Sequence, residues 1–438
     1  MNLLVRGGRL VDPANGLDGR LDCLILNGKV AEIGQGLKAP EGTPVIDATG
    51  KVVAPGFIDM HVHLREPGYE HKETIATGTR AAALGGFTRV ACMANTEPAN
   101  DNRAVTDYIL AKAREEGWVR IHPIGAVTRG LKGEALAELA ELAEAGCVAY
   151  SDDGHPVMNA GLLRRALEYV QPFGLPIISH AEDLTLAAGG VIHEGVVSTE
   201  LGLRGIPAAA EEVMVAREIA LAELTGSPIH IAHVSTVGAI RLIRSAKARG
   251  LRVTAEVTPH HLLLTEEAVR SFDTNTKMNP PLRSKADREA LQEALADGTL
   301  DAVASDHAPH APAEKEIEYD LAAFGIVGLE TAVPLLLHHL VHGGILDLPT
   351  LIARFTVGPA RILNLPGGHL GRGADGDLVI LDLDREHEVD PARFASKSRN
   401  SPFGGWRLRG FVWMTVVGGR VIQQEGIVKG GGLRGGGR

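Results

Sequence analysis

Metal-binding thiols, an export leader and a membrane span are what this chain most plainly lacks. Its three cysteines (Cys23, Cys92, Cys147) lie far apart with no ligand spacing. That excludes a Cys-rich zinc module and fits buried small side chains in a reducing cytoplasm. The opening MNLLVRGGRLVD has no basic segment, apolar core or cleavage site, so no export is expected. No apolar run reaches the length needed to span a bilayer. Nor is there an excess of basic residues: the net charge is −10 with both signs mixed. This argues against nucleic acid as a partner and leaves room for a local basic pocket around an anionic substrate. No repeat of solenoid type is found. Asn and Gln are scarce and Arg outnumbers Lys, as in a hot habitat or a GC-rich genome.

What remains is a chain of 438 residues, 45% hydrophobic, able to bury one large barrel plus a small module. Residues 1–55 read as short hairpin strands, with Asn27-Gly28 a tight-turn signal. Across residues 56–365 the period changes, and apolar strands alternate with amphipathic helices such as EALAELAELAEAG and GAIRLIRSAKARG. Eight strands are expected to begin near Phe57, Arg89, Arg120, Cys147, Pro176, Pro228, Arg252 and Leu300. Eight such alternations predict an α/β protein with a (β/α)8 TIM-like barrel. Residues 366–438 return to short strands, GDLVILDLD and FVWMTVVGGRVIQQEG. The two ends are therefore expected to form one small β-sandwich, with the glycine-rich tail GGGLRGGGR frayed.

The chemistry collects at strand ends. His61 and His63 close GFIDMHVH, Asp153 closes CVAYSDD, His180 closes PIISH, His233 closes PIHIAH, and Asp306 closes LDAVASD. Parallel barrel strands deliver such residues to one mouth. Histidines and carboxylates converging there suit one or two divalent metals, with zinc the expected ion. Side chains two apart share a strand face, so His61 and His63 can grip one ion. Asp153 and its neighbour Asp152 compete for one role, since alternation favours only one. Asp306 is placed to take a proton from a metal-activated water and return it to a leaving nitrogen. The polar segment from His310 to Ile326 has the length of a lid.

The phrase G-F-I-D-M-H-V-H-L-R-E-P-G resembles the opening barrel signature of the amidohydrolase superfamily. With M-A-N-T-E-P, Y-S-D-D-G, S-H-A-E-D, K-M-N-P-P-L-R, S-D-H-A-P-H and A-F-G-I-V-G-L-E-T it is most similar to bacterial type I dihydroorotases. The resemblance implies a zinc-dependent cyclic amidohydrolase of pyrimidine biosynthesis, interconverting N-carbamoyl-L-aspartate and L-dihydroorotate. It implies two zinc ions per subunit, bridged by Asp153 and a hydroxide, and no organic cofactor. His61 and His63 would hold one zinc, with Asp306 as further ligand and catalytic acid/base; His180 and His233 would hold the other. Substrate contacts would come from His63, Arg65, Asn95, Asn279, His310, Phe324 and Gly325, with Arg65, Asn95 and His310 around the carboxylate. A carboxylated lysine, common in the superfamily at strand four, has no counterpart in Tyr150-Ser151-Asp152-Asp153, which weakens the hydantoinase reading. The usual M-P-N-T and A-P-F-G are Met-Ala-Asn-Thr and Ala-Ala-Phe-Gly, a change of loop stiffness. Alternatives are a hydantoinase, dihydropyrimidinase or allantoinase, or a catalytically silent scaffold subunit of an aspartate transcarbamoylase complex. A cytoplasmic homodimer, active alone or in such a complex, completes the expectation.

Overall fold

The first barrel strand, Phe57–Val62, pairs in parallel with Phe87–Cys92, which pairs with Arg120–Pro123. A second run follows the order Ile177–Ser179, Ile229–Ile231, Val253–Val257 and Ala302–Val303, again parallel. The computed structural model describes residues 1–429 and Gly432; the rest of the glycine-rich tail lies outside the described residues. Val62 bridges His307 in parallel, joining the eighth position to the first. The result is the expected TIM-like barrel. Small side chains fill its interior, among them Ala91, Ala149, Ala232, Ala302 and Ala304 around Met60 and Ile178.

The fourth position departs from the expectation of a regular strand. Residues 147–150 form only bridges, Tyr150 to Gly125 on one side and to Ile177 on the other. Both neighbouring segments carry a proline, Pro123 and Pro176, whose missing N–H groups break the ladder where it would continue. The chain still runs through: Tyr150 donates to the Pro176 carbonyl and Ile178 to the Tyr150 carbonyl.

Helices cover the barrel. Val237–Ala248, capped by the Thr236 hydroxyl, buries Ala239, Ile240, Ile243 and Ala246, the spacing of one helical face. The predicted EALAELAELAEAG helix is shorter than its pattern and begins at Leu139. Its first half is drawn into backbone bonds instead, Arg129 to Ala135 and Ala137 to Val127.

Strands from both ends of the chain share one seven-stranded sheet, in which Leu378–Leu381 runs antiparallel to Val52–Pro55. A four-stranded sheet packs on it through Leu3, Val5, Ile25, Val53, Ile380 and Met414. Asn27 and Gly28 join two of its strands with φ of 52° and 76°, the positive values a two-residue hairpin turn needs. Asp377 ties these sheets to the barrel's floor through Arg89 at 3.1 Å and Arg120 at 2.9 Å. No helix among the described residues is long and apolar enough to cross a membrane.

Candidate metal centre

The ends of the first and eighth strands are pinned by Asp59, buried in the barrel. Its carboxylate accepts from the backbone N–H groups of His61 at 3.2 Å and Ser305 at 3.1 Å. Beyond it, His61 Nε2 and His63 Nε2 lie 3.4 and 3.1 Å from Asp306 Oδ1. Asp153 sits on the other side. Its Oδ1 is 3.5 Å from His61 Nε2, 3.5 Å from His233 Nε2 and 3.6 Å from His180 Nδ1. Its Oδ2 is 3.5 Å from His63 Nε2. His180 Nδ1 and His233 Nε2 are 3.0 Å apart. Thus six side chains from five strand ends converge, and two groups, His61–His63–Asp306 and His61–Asp153–His233, have metal-holding geometry. Asp152 stays out: it accepts from the Val127 and Thr128 N–H groups and the Thr128 hydroxyl.

The donor set fits divalent cations. His61 Nε2 and Asp153 Oδ1, both facing the centre, are buried polar atoms without a hydrogen-bond partner, each costing about 1–3 kcal/mol if left so. Burial opposes ionisation of Asp306, but His61 and then His63 outweigh it and hold the carboxyl well below its ordinary range. Asp153 is depressed likewise by His61, His180 and His233 against burial. Burial opposes positive charge on His180, yet Asp153 and Glu182 push its pKa up to about 10. A cation is what this field favours, and mixed imidazole and carboxylate donors suit zinc.

Backbone strain concentrates here. Arg65, His233 and Asp306 have φ of 60°, 32° and 47°, in the left-handed region that side chains avoid. Such residues cost roughly 1–3 kcal/mol each and persist where surrounding contacts over-determine them.

Two buried acids went unread in the sequence. Glu256 accepts from His61 Nδ1 at 2.8 Å and sits 3.3 Å from His230 Nε2; burial opposes its charge, but His230 and His61 bring its pKa down to about 2. An ionised carboxylate only accepts, so His61 carries its proton on Nδ1 and turns Nε2 to the centre. Glu182 stands 3.4 Å from His180 Nε2 in the same role. Glu256 left one signal: an acid inside the otherwise apolar strand VTAEV, which must find a partner. Glu256→Gln should weaken zinc affinity about 10–100-fold, read by chelator competition. Unchanged affinity would remove Glu256 from the metal's support.

The predicted substrate residues surround this centre. Asn95 Oδ1 is 2.8 Å from His63 Nδ1, and its Nδ2 is 3.5 Å from the Asp153 carbonyl. Arg65, half-buried, donates Nε to the Pro309 carbonyl at 3.2 Å and has no carboxylate partner among the described residues. Asn279 Nδ2 reaches Glu182 at 3.0 Å, leaving Oδ1 to accept. His310 Nε2 pairs with the Phe324 carbonyl at 2.8 Å, and burial, then Arg65, pushes its pKa down to about 3. The segment 310–326 is folded onto the barrel, with Lys315, Tyr319 and Ala322 buried.

A family profile described as "Dihydro-orotase-like" matches residues 50–238, and one described as "Amidohydrolase family" matches residues 199–423. The chain is 58% identical over 424 residues to a "Dihydroorotase" from Citrifermentans bemidjiense, covering 97% of this chain and 100% of that one. It is 59% identical over 429 residues to a "Dihydroorotase" from Pelotomaculum thermopropionicum, covering 98% and 100%. Among solved structures it is similar to the L-hydantoinase (dihydropyrimidinase) of Arthrobacter aurescens, with a TM-score of 0.88, 28% identity and 98% of both chains covered.

Proposed function

The chain belongs to the dihydroorotase family, and from that premise we infer that it is a metal-dependent cyclic amidohydrolase of pyrimidine biosynthesis, interconverting N-carbamoyl-L-aspartate and L-dihydroorotate. The observation that carries the substrate is Arg65: a half-buried guanidinium beside the metal centre with no carboxylate partner among the described residues. An anionic ring answers that need, whereas hydantoin or dihydrouracil does not. Asn95 and His310 complete the carboxylate pocket in this reading. His310 is held neutral in the free protein by burial and Arg65, and its Nε2–H is given to the Phe324 carbonyl, so it donates there only once the substrate carboxylate draws a second proton onto Nδ1.

His61, His63 and Asp306 would hold one zinc and His180 and His233 the other, with Asp153 between them. Zinc, when bound, would supply Lewis-acid activation of water and of the ring carbonyl. Asp306, ionised at neutral pH, takes the proton of the attacking water and delivers it to the departing ring nitrogen. Asn279 Oδ1 accepts a ring or ureido N–H, and the backbone at Phe324 and Gly325 closes over the ring. In synthesis the ureido nitrogen attacks the side-chain carboxyl, and Asp306 takes the nitrogen's proton and passes it to the departing hydroxyl, which leaves as water. A cytoplasmic homodimer is our working assembly, with association to aspartate transcarbamoylase a further possibility to assay.

Hydrolysis of L-dihydroorotate by the zinc-loaded protein, beside dihydrouracil, hydantoin and allantoin, tests the reading. Turnover confined to dihydroorotate supports it; turnover only of an uncharged ring overturns the substrate. Chelation should abolish activity and lower the melting temperature by about 5–15 °C, with zinc restoring both. Elemental analysis should find two zinc ions per chain, and a single ion would count against Asp153 as a bridge.

A further inference from the structure

Residues 320–325 have no regular secondary structure, yet buried cationic and imidazole side chains answer their carbonyls. Lys277 Nζ donates to the Asp320 carbonyl at 2.9 Å, and His310 pairs with that of Phe324. Lys315 Nζ donates to the carbonyls of Ala323 at 2.7 Å, Gly325 at 3.0 Å and Lys277 at 3.4 Å. An ammonium has three N–H donors, and all three here go to backbone. Lys315 itself is 5% exposed, at the end of the short helix Pro312–Lys315.

Burying an ammonium among neutral carbonyls is costly, and an apolar side chain would fill the same volume without that cost. What the ammonium adds is geometry. Gly325 has φ of 120°, and a Cβ there would lie 2.6 Å from the Ala308 Cβ, so this backbone takes a conformation that needs holding. Gly325 N–H also donates to the Lys277 carbonyl at 2.9 Å. Lys315 therefore joins two stretches: one ends at Asn279, the other carries Phe324 and Gly325.

Resting on the dihydroorotase reading, we propose that Lys315 is a positioning residue for substrate: its ammonium fixes segments 277–279 and 323–325 relative to each other, and so sets affinity for the ring rather than the chemical step. The zinc-loaded Lys315→Met enzyme should keep its metal content and a kcat within about threefold of the wild type, while KM for dihydroorotate rises about tenfold or more. Lys315→Arg, which keeps charge and several donors, should recover most of the loss. A KM within about twofold of the wild type, or a fall in kcat with KM unchanged, would overturn the proposal. Should Lys315→Met fail to fold, Lys315→Gln is judged by the same criteria. Amide exchange in 320–326 reads the clamp independently of turnover: acceleration by about tenfold or more in the variant supports it, and unchanged exchange overturns it. Wild-type silence on dihydroorotate would condemn the functional reading instead, leaving the exchange result to decide the clamp.

Discussion

Asp306→Asn is expected to lower kcat for dihydroorotate by about 10²–10⁴-fold while leaving the fold and most of the metal in place. Asparagine has nearly the shape of aspartate and tolerates the left-handed conformation that Asp306 adopts at φ 47°. It can still offer Oδ1 to the metal beside His63, from the position that Asp306 Oδ1 holds 3.1 Å from His63 Nε2. What it loses is proton affinity. In the wild type, burial works against the charge and His61 and His63 overcome it, so the carboxylate is ionised and ready to accept a proton. An amide oxygen does not take that proton at neutral pH, and the ring nitrogen then departs unprotonated. Elemental analysis beside a single-turnover assay separates the two roles. Metal retained with turnover lost supports Asp306 as the acid/base, whereas retention of more than about a tenth of kcat would remove it from the proton path.

Much of the site was legible because a parallel barrel converts a local pattern into a spatial one. An apolar run ending in His or Asp is visible in sequence, and barrel topology sends every such end to one mouth, which is where His61, His63, Asp153, His180, His233 and Asp306 meet. The pattern carries no information about what supports them. Glu256 lies 195 residues from His61 in sequence, and only the closed barrel brings the pair together. Asp152 and Asp153 were indistinguishable by type and position; the Val127 and Thr128 N–H groups, contributed by another strand end, claim the first. The fourth strand shows the opposite failure. Its own residues read as strand, but Pro123 and Pro176 on its neighbours reduce it to bridges. Lys315 reads as one polar residue of a lid-length segment because lysine is rarely buried, and nothing local announces three inward-facing carbonyls.

Arg65→Met should separate dihydroorotate from its uncharged analogue. The expected loss in kcat/KM for dihydroorotate is about 10²–10³-fold, the usual consequence of leaving a buried carboxylate without its cation (roughly 2–5 kcal/mol). For dihydrouracil, which has no carboxylate and is read as a competitive inhibitor, the change in inhibition constant should stay within about threefold. Methionine keeps most of the length of arginine and meets the same backbone demand at φ 60°, so the substitution tests charge more than shape. Among the described residues the one side-chain hydrogen bond of Arg65 runs from Nε to the Pro309 carbonyl, and its loss bears equally on both rings. A selective effect therefore measures the contact with the carboxylate itself. Equal losses on the two rings would mean that Arg65 props the loop at Pro309 rather than reading charge. The anionic substrate would then need another cation, and Arg65 would cease to distinguish this chain from a hydantoinase.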